Sequence, residues 1–143
     1  MKLYFTLNRS VLAFLLLFSV MAILIFGEFS TYAQAEKNGN THQNRVDFIK
    51  SLGYEVEDTQ VGVKEIRIPD TFSDVYENYN SLQRRAGYDL KKYSGSKVVM
   101  YTYQLKQANV DAPSVCNLLV LEGKIIGGDI ASLRLDGEML PLG

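Results

Sequence analysis

The chain has 143 residues, which fits one modest domain preceded by a targeting segment. Its 15 basic and 16 acidic residues give a net charge of −1, and Arg84-Arg85 and Lys91-Lys92 are the only basic doublets, so nucleic acid is not expected as a partner. A single cysteine, Cys116, excludes an intrachain disulfide. With His42 the only histidine and no CxxC or HxxxH spacing, neither a metal site nor a cofactor is expected.

The N-terminus reads as an export segment. Lys2 and Arg9 precede a run from Val11 to Phe26 in which Ser19 is the only residue that is not apolar. The positive charges stay on the cytoplasmic side and place the rest of the chain outside. As a helix the run would be ~24 Å long, between a signal-peptide h-region and a full membrane span. Ala33-Gln34-Ala35 offers a small-x-small cleavage motif. Two outcomes stay open: a cleaved signal peptide over residues 1–35, or an uncleaved membrane anchor. No cysteine follows the run to accept a lipid. Without residues 1–35, which hold Lys2, Arg9 and Glu28, the net charge is −2.

Residues 36–43 read as a polar tether and 44–143 as the domain. Thr41 is a candidate cap for a helix to about Leu52, with Val46, Ile49 and Leu52 on one face and Gly53 as its stop. Two alternating stretches follow, 54–57 and 61–68, the second with a phase break that a bulge near Lys64-Glu65 would reconcile. The next helix has Asp70 or Thr71 as cap, an apolar stripe through Phe72, Val75, Tyr76, Tyr79 and Leu82, cations at Arg84-Arg85, and Gly87 at its end.

From Lys97 the pattern becomes strand-like. Residues 97–105 alternate, 107–114 form a loop, and 115–121 are apolar on both faces apart from Cys116 and Asn117, as in a central strand. Glu122-Gly123 turns the chain into Lys124-Ile125-Ile126, and Gly127-Gly128 loosens that strand before Asp129-Ile130. Residues 133–135 and 138–140 read as a last hairpin about Asp136-Gly137. The expected class is α+β: two helices on one face of a mainly antiparallel sheet, preceded by the apolar export or anchor helix.

No nucleophile–base pair is evident. His42 sits in or beside the tether, where it cannot hold a substrate proton in place. Cys116 lies in an apolar strand and is expected to be buried and inert. Two clusters remain. One is Gly127-Gly128-Asp129, where a glycine allows another backbone or the helix to approach closely and Asp129 ends a strand. The other is Tyr79, Asn80 and Gln83 with Asp89, amides and phenols on a half-buried helix face. Tyr79, Asn80, Gln83, Asp89 and Asp129 are therefore the candidate ligand-binding residues. Their bland reading is a set of hydrogen bonds tying the helix to sheet and loop.

These stretches carry a resemblance. Tyr79-Asn80-Ser81-Leu82-Gln83, Gly87-Tyr88-Asp89-Leu90 and Tyr93-Ser94-Gly95 resemble the bacterial domain-of-unknown-function family 4830. So do Phe48-Ile49-Lys50-Ser51-Leu52-Gly53-Tyr54, the run from Asn117-Leu118-Leu119-Val120 to Ile126-Gly127-Gly128-Asp129-Ile130, and Asp136-Gly137. The resemblance covers about residues 44–142. It implies Gram-positive, Clostridia-like bacteria, an N-terminal membrane segment and no assigned activity. In the family pattern a cysteine often follows the Gly-Gly-Asp-Ile run; Ala131 stands there in this chain, so any role of that thiol is absent.

The functional expectation is a non-catalytic binding or regulatory module, extracytoplasmic, at the cell surface or secreted, with an envelope protein or ligand as its partner. The alternative is a small envelope-acting enzyme that uses the carboxylates of Asp129 and Asp89.

Overall fold

Five strands pair antiparallel, each with its neighbours in sequence, to form one sheet. The structure, a computed structural model, describes residues 18–19, 37–106 and 114–143. The chain divides into two compact units, residues 1–35 and 36–143. Of the first, only Phe18 and Ser19 are described, both helical. The remainder of the export segment, its cleavage motif and most of the loop from residue 107 lie outside the described residues. Among the described residues, no helix is long and apolar enough to cross a membrane.

In the second unit the elements run α1 (His42–Ser51), β1 (Val56–Arg67), α2 (Asp74–Arg85), a 3₁₀ turn (Leu90–Tyr93), β2 (Lys97–Leu105), β3 (Ser114–Leu121), β4 (Lys124–Ser132) and β5 (Met139–Pro141). The α+β class is as the sequence indicates. Thr41 caps α1, its hydroxyl accepting from the Asn44 N–H at 3.1 Å. Ser73, rather than Asp70 or Thr71, caps α2. Asp74 and Glu77 in the first turn of α2 and Arg84 and Arg85 in the last complement its dipole. Gly87 follows at φ +78°, where a side chain would be strained.

The two alternating stretches of the N-terminal half are one strand, β1. Its register breaks lie between Val56 and Gln60 and between Gln60 and Gly62, not at Lys64-Glu65. β4 likewise runs unbroken through Gly127 and Gly128, with Ile126 as the extra residue of a bulge opposite Leu119 and Val120. Residues 133–135 are not a strand, and β5 is only three residues long.

The placement of the helices corrects the one-face expectation. Paired residues share a face and neighbours alternate. Tyr103, Cys116 and Ile130 are paired across β2, β3 and β4, so they share one face with Leu105 and Leu118. Against that face pack Val46, Phe48 and Ile49 of α1. Val98, Leu119 and Ile126 belong to the opposite face, where Leu90, Phe72, Tyr76 and Tyr79 pack. The helices therefore cover opposite faces. β2 and β3 carry apolar residues at both parities, so each face needs its own cover to leave water.

The stretch read from sequence as a tether, residues 36–43, engages the sheet and helix from Lys37 onward. The Lys37 carbonyl accepts from the Ile125 N–H, the Gly39 N–H donates to Gly123, both at 2.8 Å, and Asn38 bridges Lys124. The buried Arg45 guanidinium fixes this segment through the Gly39 carbonyl at 2.7 Å, stacks on Tyr101 and donates to the Tyr103 hydroxyl at 2.9 Å.

Candidate functional site

Three of the five candidate residues, Tyr79, Gln83 and Asp129, meet where α2 crosses β4. Tyr79 and Gln83 are one helical turn apart on the face of α2 that meets the sheet. The Tyr79 hydroxyl donates to Asp129 Oδ2 at 2.8 Å. Gln83, fully buried, makes two bonds to one residue. Its Nε2 donates to the Gly128 carbonyl at 2.9 Å and its Oε1 accepts from the Gly128 N–H at 2.8 Å.

That pair of bonds substitutes for a missing strand. β5 pairs with β4 only at Asp129, Ile130 and Ala131, so Gly128 lies just past the end of the ladder. A side-chain amide carries one donor and one acceptor at the spacing of a peptide group, and it completes the sheet edge there. Glycines are required on both sides of this contact. A Cβ on Gly127 would lie 2.7 Å from Gln83 Oε1 and 3.1 Å from Leu90 Cδ2. A Cβ on Gly128 would collide with the Asn117 backbone oxygen and lie 2.7 Å from Leu142 Cδ1. The Gly-Gly pair thus lets the backbone come close to the helix and to β3.

Asn80, also fully buried, organises the loop after α2. Its Nδ2 donates to Asp89 Oδ1 at 2.9 Å and its Oδ1 accepts from the Leu90 N–H at 2.8 Å. The same Asp89 oxygen accepts from the Lys91 N–H, capping the 3₁₀ turn. The Asn80 amide, the Lys91 N–H and the positive charges of Arg84 and Lys92 hold the Asp89 carboxyl below its ordinary range.

Asp129 is 3% exposed and sits within β4, not at a strand end. Its Oδ1 accepts from Asn117 Nδ2 at 2.9 Å, and Asn117 Oδ1 accepts from the Thr102 hydroxyl at 2.8 Å. Thr102, Asn117 and Asp129 are cross-strand partners, so one polar row crosses β2, β3 and β4 and ends on Tyr79. Burial raises the Asp129 carboxyl above its ordinary range, and the bonds from Asn117 and Tyr79 offset only part of that. Burial and the adjoining Asp129 charge together raise the Tyr79 phenol. Cys116 is fully buried and its thiol is raised by burial, which makes it a poor nucleophile.

The structure therefore joins Tyr79, Gln83 and Asp129 at the helix–sheet contact, and Asn80 and Asp89 as a separate pair that ties α2 to the following turn. Asp129 and Asp89 have different partners and no bond to each other. Sequence reasoning passed over Thr102 and Asn117. The bulge at Ile126 hid them: counting back from the Glu122-Gly123 turn without it sets Asn117 opposite Gly128, not Asp129. It also passed over Arg45, whose buried position on α1 was not read from the helical stripe. Among the described residues, no group of three or more His, Cys, Asp or Glu side chains is arranged to hold a metal ion.

The fold and this helix–sheet latch define a small α+β domain with a helix on each sheet face. The chain belongs to the family described as Domain of unknown function (DUF4830), which matches residues 48–130 and includes all five candidate residues. No curated protein and no solved structure matches the chain.

Proposed function

We propose that this chain is an extracytoplasmic domain, anchored at or released from the membrane through its N-terminal apolar segment, and that it works as a non-catalytic binding or regulatory module. The observation that carries the non-catalytic part is the use of every candidate polar side chain inside the fold. Tyr79, Asn80, Gln83, Asp89 and Asp129 are bonded to one another, to Asn117 or to backbone groups. An acid–base enzyme needs a carboxylate within hydrogen-bond reach of a substrate, and Asp129 is 3% exposed. The export part rests on the basic head and apolar run of residues 2–26.

Fusing residues 1–40 to a reporter active only outside the cytoplasm tests the compartment. Activity is expected, and a reporter active only in the cytoplasm would sink the reading. The N-terminal mass of the mature chain then separates cleavage after Ala35 from anchoring.

A further inference from the structure

The strap of Lys37, Asn38 and Gly39 that docks on the β3–β4 turn contains an Asn-Gly step. In such a step the glycine nitrogen can attack the asparagine side-chain carbonyl, because glycine has no Cβ to hinder the approach. The nitrogen first gives its proton to hydroxide. A bond then forms between it and Asn38 Cγ, the Cγ–Nδ2 bond breaks, and Nδ2 takes a proton from water and leaves as ammonia. Water opens the resulting cyclic imide at either carbonyl, which leaves aspartate or isoaspartate.

Packing is what puts a glycine there. A Cβ on Gly39 would lie 2.8 Å from Ile125 Cγ1 and 3.0 Å from Val120 Cγ2. The fold then acts on both reacting groups. Asn38 is exposed, and the Asn40 N–H donates to its Oδ1 at 3.0 Å, where the attack would build negative charge. Gly39 is buried, and its N–H donates to the Gly123 carbonyl at 2.8 Å. An amide held in this way loses its proton only when the bond opens, the rule that also governs hydrogen exchange. The carbonyl is thus activated while the nucleophile is locked. Two further bonds hold the lock: Lys37 C=O accepts from the Ile125 N–H at 2.8 Å, and Gly39 C=O accepts from Arg45 at 2.7 Å.

We propose that Asn38 is a deamidation site gated by the strap: closed while Gly39 is bonded to Gly123, open when the strap lifts. Isoaspartate routes the main chain through the former side chain and lengthens it by one carbon between residues 38 and 39. The bonds on either side, Lys37 to Ile125 and Gly39 to Gly123, go to fixed groups of one turn, so the lengthened strap cannot make both. Conversion to isoaspartate therefore turns a reversible release into a permanent one. Cleavage after Ala35 would leave Asn38 in the chain, so the site exists in an anchored and in a released form alike.

The test uses the full-length chain in detergent micelles at mildly alkaline pH. Peptide mass mapping follows deamidation at Asn38, and NMR follows exchange of the Gly39 N–H, each in the folded chain and in urea. Folding should slow deamidation by at least about tenfold, and by the same factor, within about fivefold, as it slows Gly39 exchange, because both need the same opening. Arg45→Met removes the clamp on the Gly39 carbonyl and should speed both rates together. In chains already converted to isoaspartate, the Ile125 N–H should exchange like an exposed amide. In Asn38→Asp, whose carboxylate can still accept from the Asn40 N–H, it should stay protected. Equal deamidation in the folded chain and in urea, slowing factors that disagree, an Arg45→Met change that moves one rate without the other, or wild-type protection of Ile125 in the isoaspartate chain would each overturn the proposal.

Discussion

Replacing Gln83 by leucine keeps most of the side-chain volume and removes both bonds to Gly128. Gly128 is buried, and its N–H and C=O bond the Gln83 side chain, their hydrogen-bond partner among the described residues. An orphaned buried polar group costs about 1–3 kcal/mol, so two cost ~2–6 kcal/mol. A domain of this size holds about 5–15 kcal/mol in all. Gln83→Leu is therefore expected to lower the urea midpoint by ~0.7 M or more, given a slope of ~1–3 kcal/mol per M. Gln83→Glu adds a sign. Its ionised form sets an oxygen against the Gly128 carbonyl, whereas its protonated form restores one donor and one acceptor. The folded-state pKa of that glutamate is then raised, and the recovered stability is present at low pH and lost as pH rises through it. Urea unfolding of the three proteins across pH reads both effects. A Gln83→Leu midpoint within error of wild type, or a Gln83→Glu deficit that does not shrink on acidification, would refute the reasoning.

Gly128→Ala should destabilise by about 1–3 kcal/mol, because the added Cβ meets a backbone oxygen and Leu142; a wild-type melting temperature would contradict the close approach. Asp129→Asn tests the raised carboxyl. Between the ordinary carboxylate range and the raised folded value the native state binds the extra proton, so Asp129 makes stability fall as pH rises. The stability difference between wild type and Asp129→Asn should therefore shift in favour of wild type on acidification through that window, and a pH-independent difference would show that Asp129 is not desolvated. Cys116 should react with a thiol reagent far more slowly in the folded protein than after denaturation. Equal rates would place β3 at the surface.

Much of the fold was legible in the sequence because local chemistry decides it. Thr41 and Gly53 bracket α1, Gly87 closes α2, Glu122-Gly123 takes positive φ at the β3–β4 turn, and the alternation of 97–105 gives β2. What was hidden depends on long-range pairing. Apolar residues at both parities of β3 say that both faces are covered, yet periodicity alone does not say which helix covers which. The break in phase near Lys64 was visible, but the compensating bulges lie earlier, where β1 pairs with Tyr103 and Leu105. At the site, Gly-Gly-Asp and the α2 amides were recognisable as residue types. Their juxtaposition was not, because the Gln83–Gly128 contact spans 45 residues and exists only where β5 stops short.

Amide hydrogen exchange, read residue by residue by NMR, tests the latch most directly. Gly128 and Leu90 lie at or beyond regular ladder positions, and their N–H groups are held by the side chains of Gln83 and Asn80, each at 2.8 Å. If these side chains are structural, both amides exchange only through global unfolding, as slowly as Leu118 in the central strand. Exchange of Gly128 and Leu90 at the rate of exposed loop amides would show that the side chains are free to serve a ligand or substrate, and would contradict the account.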